Sequence, residues 1–497
     1  LVVGAWLAIV LVTLSRHEFW RDEVRALSIA REAPSWLGLV SALENEGHPV
    51  LWYVVLRGLY ALVPSTGVLP FASVAMAGAA MVVLVSYAPL PTHLVLLFVF
   101  GAFPLYEYSV MARSYGLGLL LLFLAAFCFG ERRRRPLVLG LVLALLANTS
   151  VHLLALSILL VCVWVWDLVT DGPPERWGSQ ALAFAVVAAG VALALHTAWP
   201  TTASHVAPPT ALSPEAVLAS LADNLADPSR TYRVVLYPLG WWGGPVIVLA
   251  IVGLACWWPL LVATVAAVLG LAVISDLVLE SSFRHQGLLI VWLLASYWIL
   301  LARDPVPARG SRTKERCLGA SLYVGLPILL LLLTRHGLAM VKGDVQREMS
   351  ASASFARFLE NRTEYRDAIL MGEPDYYLEA MPYYRDNRIF RPRAGRFGSV
   401  ARFTTDSIEN LSLGELLASA ERVAAAERAP VLIAIGYDEV RQRDAGKAPW
   451  GYRGRFTWTP EERAAFEART TLVADFNDMP AEDFGVYALE TGAEPKP

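Results

Sequence analysis

The chain has 497 residues, with Lys+Arg 41 against Asp+Glu 44, and its net charge of −3 excludes a globally basic nucleic-acid-binding surface. Hydrophobic residues make up 56% and charged residues only 17%, and mean hydropathy is +0.49, which excludes an ordinary soluble globular enzyme. The charges thin out before roughly residue 340 and crowd after it, the pattern of a polytopic membrane protein with a soluble tail.

A bilayer core takes about 20 apolar residues per helix, and roughly a dozen runs approach that length. They are residues 1–14, 49–63, 69–86, 94–104, 110–129, 137–147, 151–166, 181–199, 245–258, 260–279, 288–301 and 318–333. The opening run leads into this long array, so it reads as a membrane helix rather than a cleaved leader, with the native N-terminus expected upstream of Leu1. Arginine-rich stretches at 131–136 and 303–316 mark the cytoplasmic face. Counting outward puts the bend near His152, the loops 200–242 and 280–286, and everything after Leu333 on the opposite face, joined by the first loop (17–48) if the first helix enters from the cytoplasm. Between residues 49 and 131 the crossings must be odd in number, yet four runs lie there. The short 94–104 run is therefore expected to be re-entrant or merged with a neighbour.

From about residue 341 the texture changes. Short β-rich runs at 368–371, 431–435, 471–476 and 484–489 alternate with amphipathic helical stretches at 354–361, 413–427 and 460–468. That alternation predicts a soluble α/β layer domain over 341–497, following a membrane module over 1–340. Cys128, Cys162, Cys256 and Cys317 have no paired spacing, so neither a zinc site nor a disulfide framework is expected.

Three clusters on the predicted outer face carry chemistry. In the first loop, Asp22 and Glu23 sit beside Trp20 and Arg21, and the loop ends on Glu46-Gly-His48-Pro49, followed by Trp52 and Tyr53. Apolar residues recur at helical spacing from Val24 to Leu43, which predicts helices lying in the interface plane. Adjacent residues on a helix diverge by about 100°, so only one of the two acids is expected to serve a reacting atom while the other positions a neighbour; the bland reading makes Asp22 a helix cap. The second cluster is Tyr106-Glu107 to Arg113-Ser-Tyr115, where the planar fork of Arg113 suits a phosphate, or an interfacial anchor. The third is Arg284-His285 at the start of an apolar helix, placed to receive an anionic head group or, again, to anchor. His17, His48, His152, His196, His205, His285 and His336 all fall near that face. No pair has i,i+3 or i,i+4 spacing, so a divalent metal is conceivable but no ligand set is assigned. P-loop, G-x-G-x-x-G and H-E-x-x-H motifs are absent.

Asp22-Glu23, His48-Pro49 with Trp52-Tyr53, and Arg113-Ser-Tyr115 together resemble the membrane-embedded glycosyltransferases of the GT-C class, in the bacterial branch related to protein O-mannosyltransferases and aminoarabinose transferases. The layout is similar over residues 1–340, and specific residues match only up to about 120; relatives often carry a second proline where this chain has Val50. The resemblance implies a GT-C fold of about 11–13 membrane helices in a bacterial inner membrane, with the C-terminal domain extracytoplasmic. It implies a catalytic acid at Asp22 completed by Glu23, and a polyprenyl-phosphate-linked sugar as donor. A glycan, lipid or protein hydroxyl would be the acceptor, attacked with inversion and with Asp22 as general base. Arg113, Arg284 and His285 would meet the donor phosphate, while His48, Trp52, Tyr53, Glu107, Tyr115 and His152 would line the cavity. A transporter or flippase of lipid-linked glycans, or a glycan ligase, is the alternative; a transporter calls for internal repeats and mid-span charges, whereas no repeat is visible and the charges cluster mostly at one membrane face.

Overall fold

The structure, a computed structural model, describes residues 1–170, 177–201, 213–278, 282–303, 311–450, 454–477, 479–480 and 482–490. His205, the start of the 280–286 loop and part of the 303–316 stretch lie outside the described residues.

The membrane module is helical throughout: α1 (Val2–Leu14), α2 (Arg21–Glu32), α3 (Trp36–Ala42), α4 (Leu51–Leu62), α5 (Val68–Tyr87), α6 (Thr92–Val99), α7 (Tyr115–Phe129), α8 (Pro136–Ala147) and α9 (Val151–Thr170). It continues with α10 (Trp177–Ala198), α11 (Pro214–Ala226), α12 (Arg233–Leu236), α13 (Gly243–Ile251), α14 (Trp258–Leu277), α15 (Phe283–Leu301), α16 (Arg312–Ala320) and α17 (Leu326–Gln346). Among the described residues seven helical stretches are long and apolar enough to cross a membrane, and four further apolar helices are shorter. The chain is a multi-pass membrane protein. Without a hydrophobic drive between helices in lipid, close packing does the work, and small residues let backbones approach. A Cβ on Gly190 of α10 would fall 2.6 Å from the Cβ of Ala144 on α8, and one on Gly337 of α17 would fall 2.7 Å from the Ala102 nitrogen.

One end of the bundle is fixed by charge. Asp167 at the end of α9 accepts from Arg132 at 2.8 and 2.6 Å and from Arg303 at 3.0 Å, so both arginine-rich stretches meet at the same end. The chemistry-bearing clusters lie at the other end, where α7 begins.

The crossing count resolves differently from the expectation. The 94–104 run passes from one end of the bundle to the other. Helix α6 starts near the arginine-rich end, where His93 Nε2 meets the Leu322 carbonyl at 3.0 Å, and a five-residue π-helical segment (Phe103–Glu107) carries it on to the far end. There Tyr106 donates to Asp344, near the end of α17, at 2.6 Å. The run that stays on one side is α4. It folds back along α2, with Arg57 donating at 2.8 Å to the carbonyls of both Ala30 and Ala33 and its guanidinium 5.2 Å from the Trp36 ring. An arginine satisfied by interfacial carbonyls favours this over crossing lipid. The elements that run from end to end of the bundle between residues 49 and 131 are then α5, α6 with its π segment, and α7, an odd number.

Helix α17 runs past the expected boundary at 341 to Gln346, because Asp344 on its last turn is bonded to His17 and Tyr106. The soluble domain follows as α18 (Ala351–Asn361), β1 (Ile369–Glu373), α19 (Met381–Tyr384), β2 (Ile389–Arg391), β3 (Arg396–Phe397), β4 (Asn410–Ser412), α20 (Leu413–Glu427), β5 (Val431–Ile435), α21 (Asp438–Gln442), β6 (Gly446–Trp450), β7 (Gly454–Trp458), α22 (Pro460–Arg469), β8 (Thr470–Phe476) and β9 (Phe484–Leu489). The main sheet has strand order β3-β2-β1-β5-β9-β8, with β2, β1 and β5 parallel and β8 and β9 antiparallel. Phe355 and Leu359 of α18 cover one face, and Leu416, Ala420 and Phe466 cover the other, giving the expected layered α/β domain. A smaller sheet, β4-β7-β6, sits beside it.

This domain rests on the first loop. Glu18 accepts from the Met349 nitrogen at 3.0 Å, Tyr384 donates to the Phe19 carbonyl at 2.9 Å, and Arg25 pairs with Glu379.

Candidate active site

Helix α2 is the element on which the site is built. Its amphipathic sequence buries Val24, Leu27 and Ile29 while Asp22 and Arg25, three residues apart, face a common cavity. That cavity, of about 510 Å³, lies where α2, the 108–114 loop, the start of α15 and the soluble domain meet. The loop is held from three sides. Ser73 of α5 donates to the Ser109 carbonyl at 2.8 Å, Tyr108 donates to the Arg284 carbonyl at 2.6 Å, and the Ala112 nitrogen donates to Glu23 at 2.6 Å. Arg113, next in sequence, is thereby aimed at Asp22, 2.7 Å away.

Around Asp22 stand three guanidinium groups: Arg113 at 2.7 Å, Arg21 at 3.5 Å and Arg284 at 3.9 Å. Burial pushes the Asp22 carboxyl upward, but Arg113, Arg21 and Arg284 outweigh it and hold its pKa at about 2. The side chain is nonetheless 32% exposed, on the wall of a water-reachable hollow. Arg284 Nη1 and Arg21 Nε are buried without a hydrogen-bond acceptor, and so is the indole Nε1 of Trp52 in the same wall. The two guanidinium atoms are within ion-pair range of Asp22 but make no hydrogen bond to it, so donor capacity is left over in the cavity wall.

Of the residues expected from sequence, Asp22, Arg113, Arg284, His285, His48, Trp52, Tyr53 and Tyr115 all line the cavity. Burial, then Arg113, pushes His48 down to about 4, leaving a neutral ring. His285 accepts the Ser282 N–H on Nδ1 at 3.2 Å, which puts the ring proton on Nε2. His152 lies behind it, stacked on the His285 ring at 4.5 Å, and backs the wall without lining it. Glu107 is also buried outside the cavity, in the field of Arg284 and Arg113.

Glu23 does not share a reacting atom with Asp22. Its side chain is fully buried, accepting from the Trp20 nitrogen at 3.3 Å, from Ala112 and from His17 Nε2 at 3.1 Å. The other ring nitrogen of His17 bonds Asp344 at 3.0 Å. Glu23, rather than Asp22, therefore caps α2, and the 100° offset between neighbours separates a structural acid from a cavity-facing one.

Sequence reasoning missed Arg21 and Arg25 as cavity residues, along with Glu46 and three groups from the soluble domain, Tyr376, Glu379 and Phe403. The charge run on α2 was the available signal for the arginines; nothing local marks residues that reach the site only through domain docking. Among the described residues no group of three or more His, Cys, Asp or Glu is arranged to hold a metal ion.

No protein-family model matches the sequence, and no curated protein matches it. A crystal structure of ArnT from Cupriavidus metallidurans in the apo state is similar over 98% of this chain and 97% of that one, with 13% identity and a TM-score of 0.46. No residue role passes from one chain to the other on that likeness.

Proposed function

We propose that the protein is an integral-membrane glycosyltransferase that moves a sugar from a polyprenyl-phosphate donor to an acceptor hydroxyl at the extracytoplasmic face. The observation that carries this reading is a single carboxylate, Asp22, clasped by Arg113 and Arg284 from two different elements inside a cavity at the end of a helix bundle. An anionic leaving group fits the two guanidinium groups, and a lipid phosphate needs no nucleotide site.

Asp22 accepts the proton of the attacking hydroxyl. The acceptor oxygen bonds the anomeric carbon as the bond from that carbon to the phosphate oxygen breaks, and the electron pair leaves with the phosphate. Arg113 and Arg284 stabilise the charge gathering there. Direct displacement inverts the anomeric centre.

With its pKa near 2, Asp22 is a weak base while the arginines face it alone. A bound phosphate draws Arg113 and Arg284 toward itself, which loosens their hold on Asp22 and raises its basicity once donor is loaded. Donor is thus expected to bind first.

The test is transfer by purified protein in lipid nanodiscs from radiolabelled sugar linked to a polyprenyl monophosphate, to a polyprenyl diphosphate or to a nucleotide. Label moving to acceptor from the monophosphate donor supports the proposal, and transfer only from nucleotide or diphosphate donors overturns it.

A further inference from the structure

The cavity has two chemically different ends, set one turn apart on α2. Asp22 marks the first, with Arg113 and Arg284 around it. Arg25, three residues on and roughly 4.5 Å further along the axis, marks the second. Its guanidinium is shared by two carboxylates: Glu46 of the first loop, at 2.8 and 2.7 Å, and Glu379 of the soluble domain. Glu379 is fixed in turn by the Ala401 nitrogen at 2.6 Å. Two aromatic rings from the same domain close this end. Tyr376 packs 6.0 Å from Phe403, with the Arg21 guanidinium 4.5 Å over the Tyr376 ring and that of Arg25 5.9 Å over Phe403.

We propose that Tyr376, Phe403 and the Glu46–Arg25–Glu379 bridge form the acceptor subsite, and that it takes an uncharged glycan in preference to one bearing phosphate or carboxylate groups on the reacting sugar. This rests on transfer occurring at Asp22. A hydroxyl held against Asp22 puts the rest of its ring within reach of Arg25, because the two side chains leave the same face of one helix.

Aromatic rings offer apolar faces to the C–H side of a sugar, and the carboxylates accept its hydroxyl protons. The charge count decides the class. Among the described residues lining this end two carboxylates meet one guanidinium, with Arg391 buried behind Glu379 and held by the Gly398, Asp375 and Ser399 carbonyls, while Arg113 and Arg284 are set around Asp22 and Arg21 is shared between Asp22 and Glu482. An anionic acceptor would be brought against Glu46 and Glu379 with no further lining cation among the described residues to answer it, and like-charge juxtaposition is costly. The soluble domain is thereby the element that selects the acceptor.

The experiment uses the full chain in nanodiscs with labelled polyprenyl-phosphate sugar, and pairs of oligosaccharide acceptors that differ only in one phosphate. The neutral member is expected to have a kcat/KM higher by at least about 10-fold. Tyr376→Ala is expected to raise the acceptor KM about 10-fold with kcat changed far less, and Tyr376→Phe, which keeps the ring, to restore it. Glu379→Gln should narrow the neutral-to-phosphorylated ratio. Equal or better use of phosphorylated acceptors, or an unchanged acceptor KM in Tyr376→Ala, overturns the proposal. Release of donor sugar to water distinguishes the two levels: if wild type releases sugar but shows no such selectivity, this inference alone fails, and if it neither transfers nor releases sugar, the glycosyltransferase reading fails with it.

Discussion

Replacing Glu23 with alanine tests the division of labour between the two adjacent acids. The Glu23 carboxylate bonds the Ala112 nitrogen at 2.6 Å, the Trp20 nitrogen at 3.3 Å and His17 Nε2 at 3.1 Å, with no exposure of its side chain. Truncation leaves the buried Ala112 nitrogen unpaired, costing about 1–3 kcal/mol, and frees the half-buried Trp20 nitrogen at a smaller cost. It also leaves a buried imidazolium with Asp344 alone, and breaking a buried pair from one side costs about 3–5 kcal/mol. These contributions overlap, so the expected loss is about 3–5 kcal/mol, set by the larger. Asp22→Ala leaves no buried backbone donor unpaired but takes the partner from Arg113, and is expected to cost less, about 2 kcal/mol. The assay is the fraction of folded, monodisperse protein remaining after heating in mild detergent, for wild type and both variants. A melting midpoint for Glu23→Ala several degrees below that of Asp22→Ala supports the reasoning. Equal midpoints would refute it, because Glu23 would then not hold the 108–114 loop and α2 together.

Two further outcomes follow from the same geometry. Burial works against a charged His17, but Glu23 and Asp344 outweigh it and push its pKa up to about 10. A raised folded-state value means the His17 contribution to stability is complete below about pH 6.5, the unfolded value, and is lost progressively as pH rises to about 10. The melting difference between wild type and His17→Gln should shrink over that window, and a constant difference would contradict the ion-pair assignment. Arg113→Lys keeps the charge but loses the planar fork, so transfer is expected to fall by about 100-fold while the protein remains folded; near-normal kcat would show that a point charge suffices there.

Much of the fold was legible because lipid and sheet impose simple periods. The apolar runs 137–147 and 260–279 match α8 and α14 closely, and Leu413–Glu427 of α20 and Val431–Ile435 of β5 were bounded correctly by amphipathic and β-rich patterns. Helix α4 is hard to place from sequence because Leu51–Leu62 is strongly apolar; its packing on α2, through Arg57, keeps it at one end of the bundle. The short strands β2, β3 and β4, of two or three residues each, carry too little pattern to be read locally. In the site, Asp22, Arg113 and Arg284 were legible because a charged group beside an apolar helix stands out. Tyr376 and Glu379 were not, since their place in the cavity depends on how a domain more than 300 residues away in sequence docks on α2. Glu23 was half legible: helical geometry said that only one acid would reach a substrate, and the buried His17–Glu23 pair identifies which acid does not.

The most direct measurement compares Asp22→Asn with wild type in one nanodisc preparation, following both binding of polyprenyl-phosphate sugar and its transfer to acceptor. Asparagine keeps the shape but cannot take a proton at the attacking hydroxyl. Transfer is expected to fall by at least about 100-fold, with donor affinity retained or improved as Arg113 and Arg284 are freed. Transfer within about threefold of wild type would contradict the assignment of Asp22 as the base.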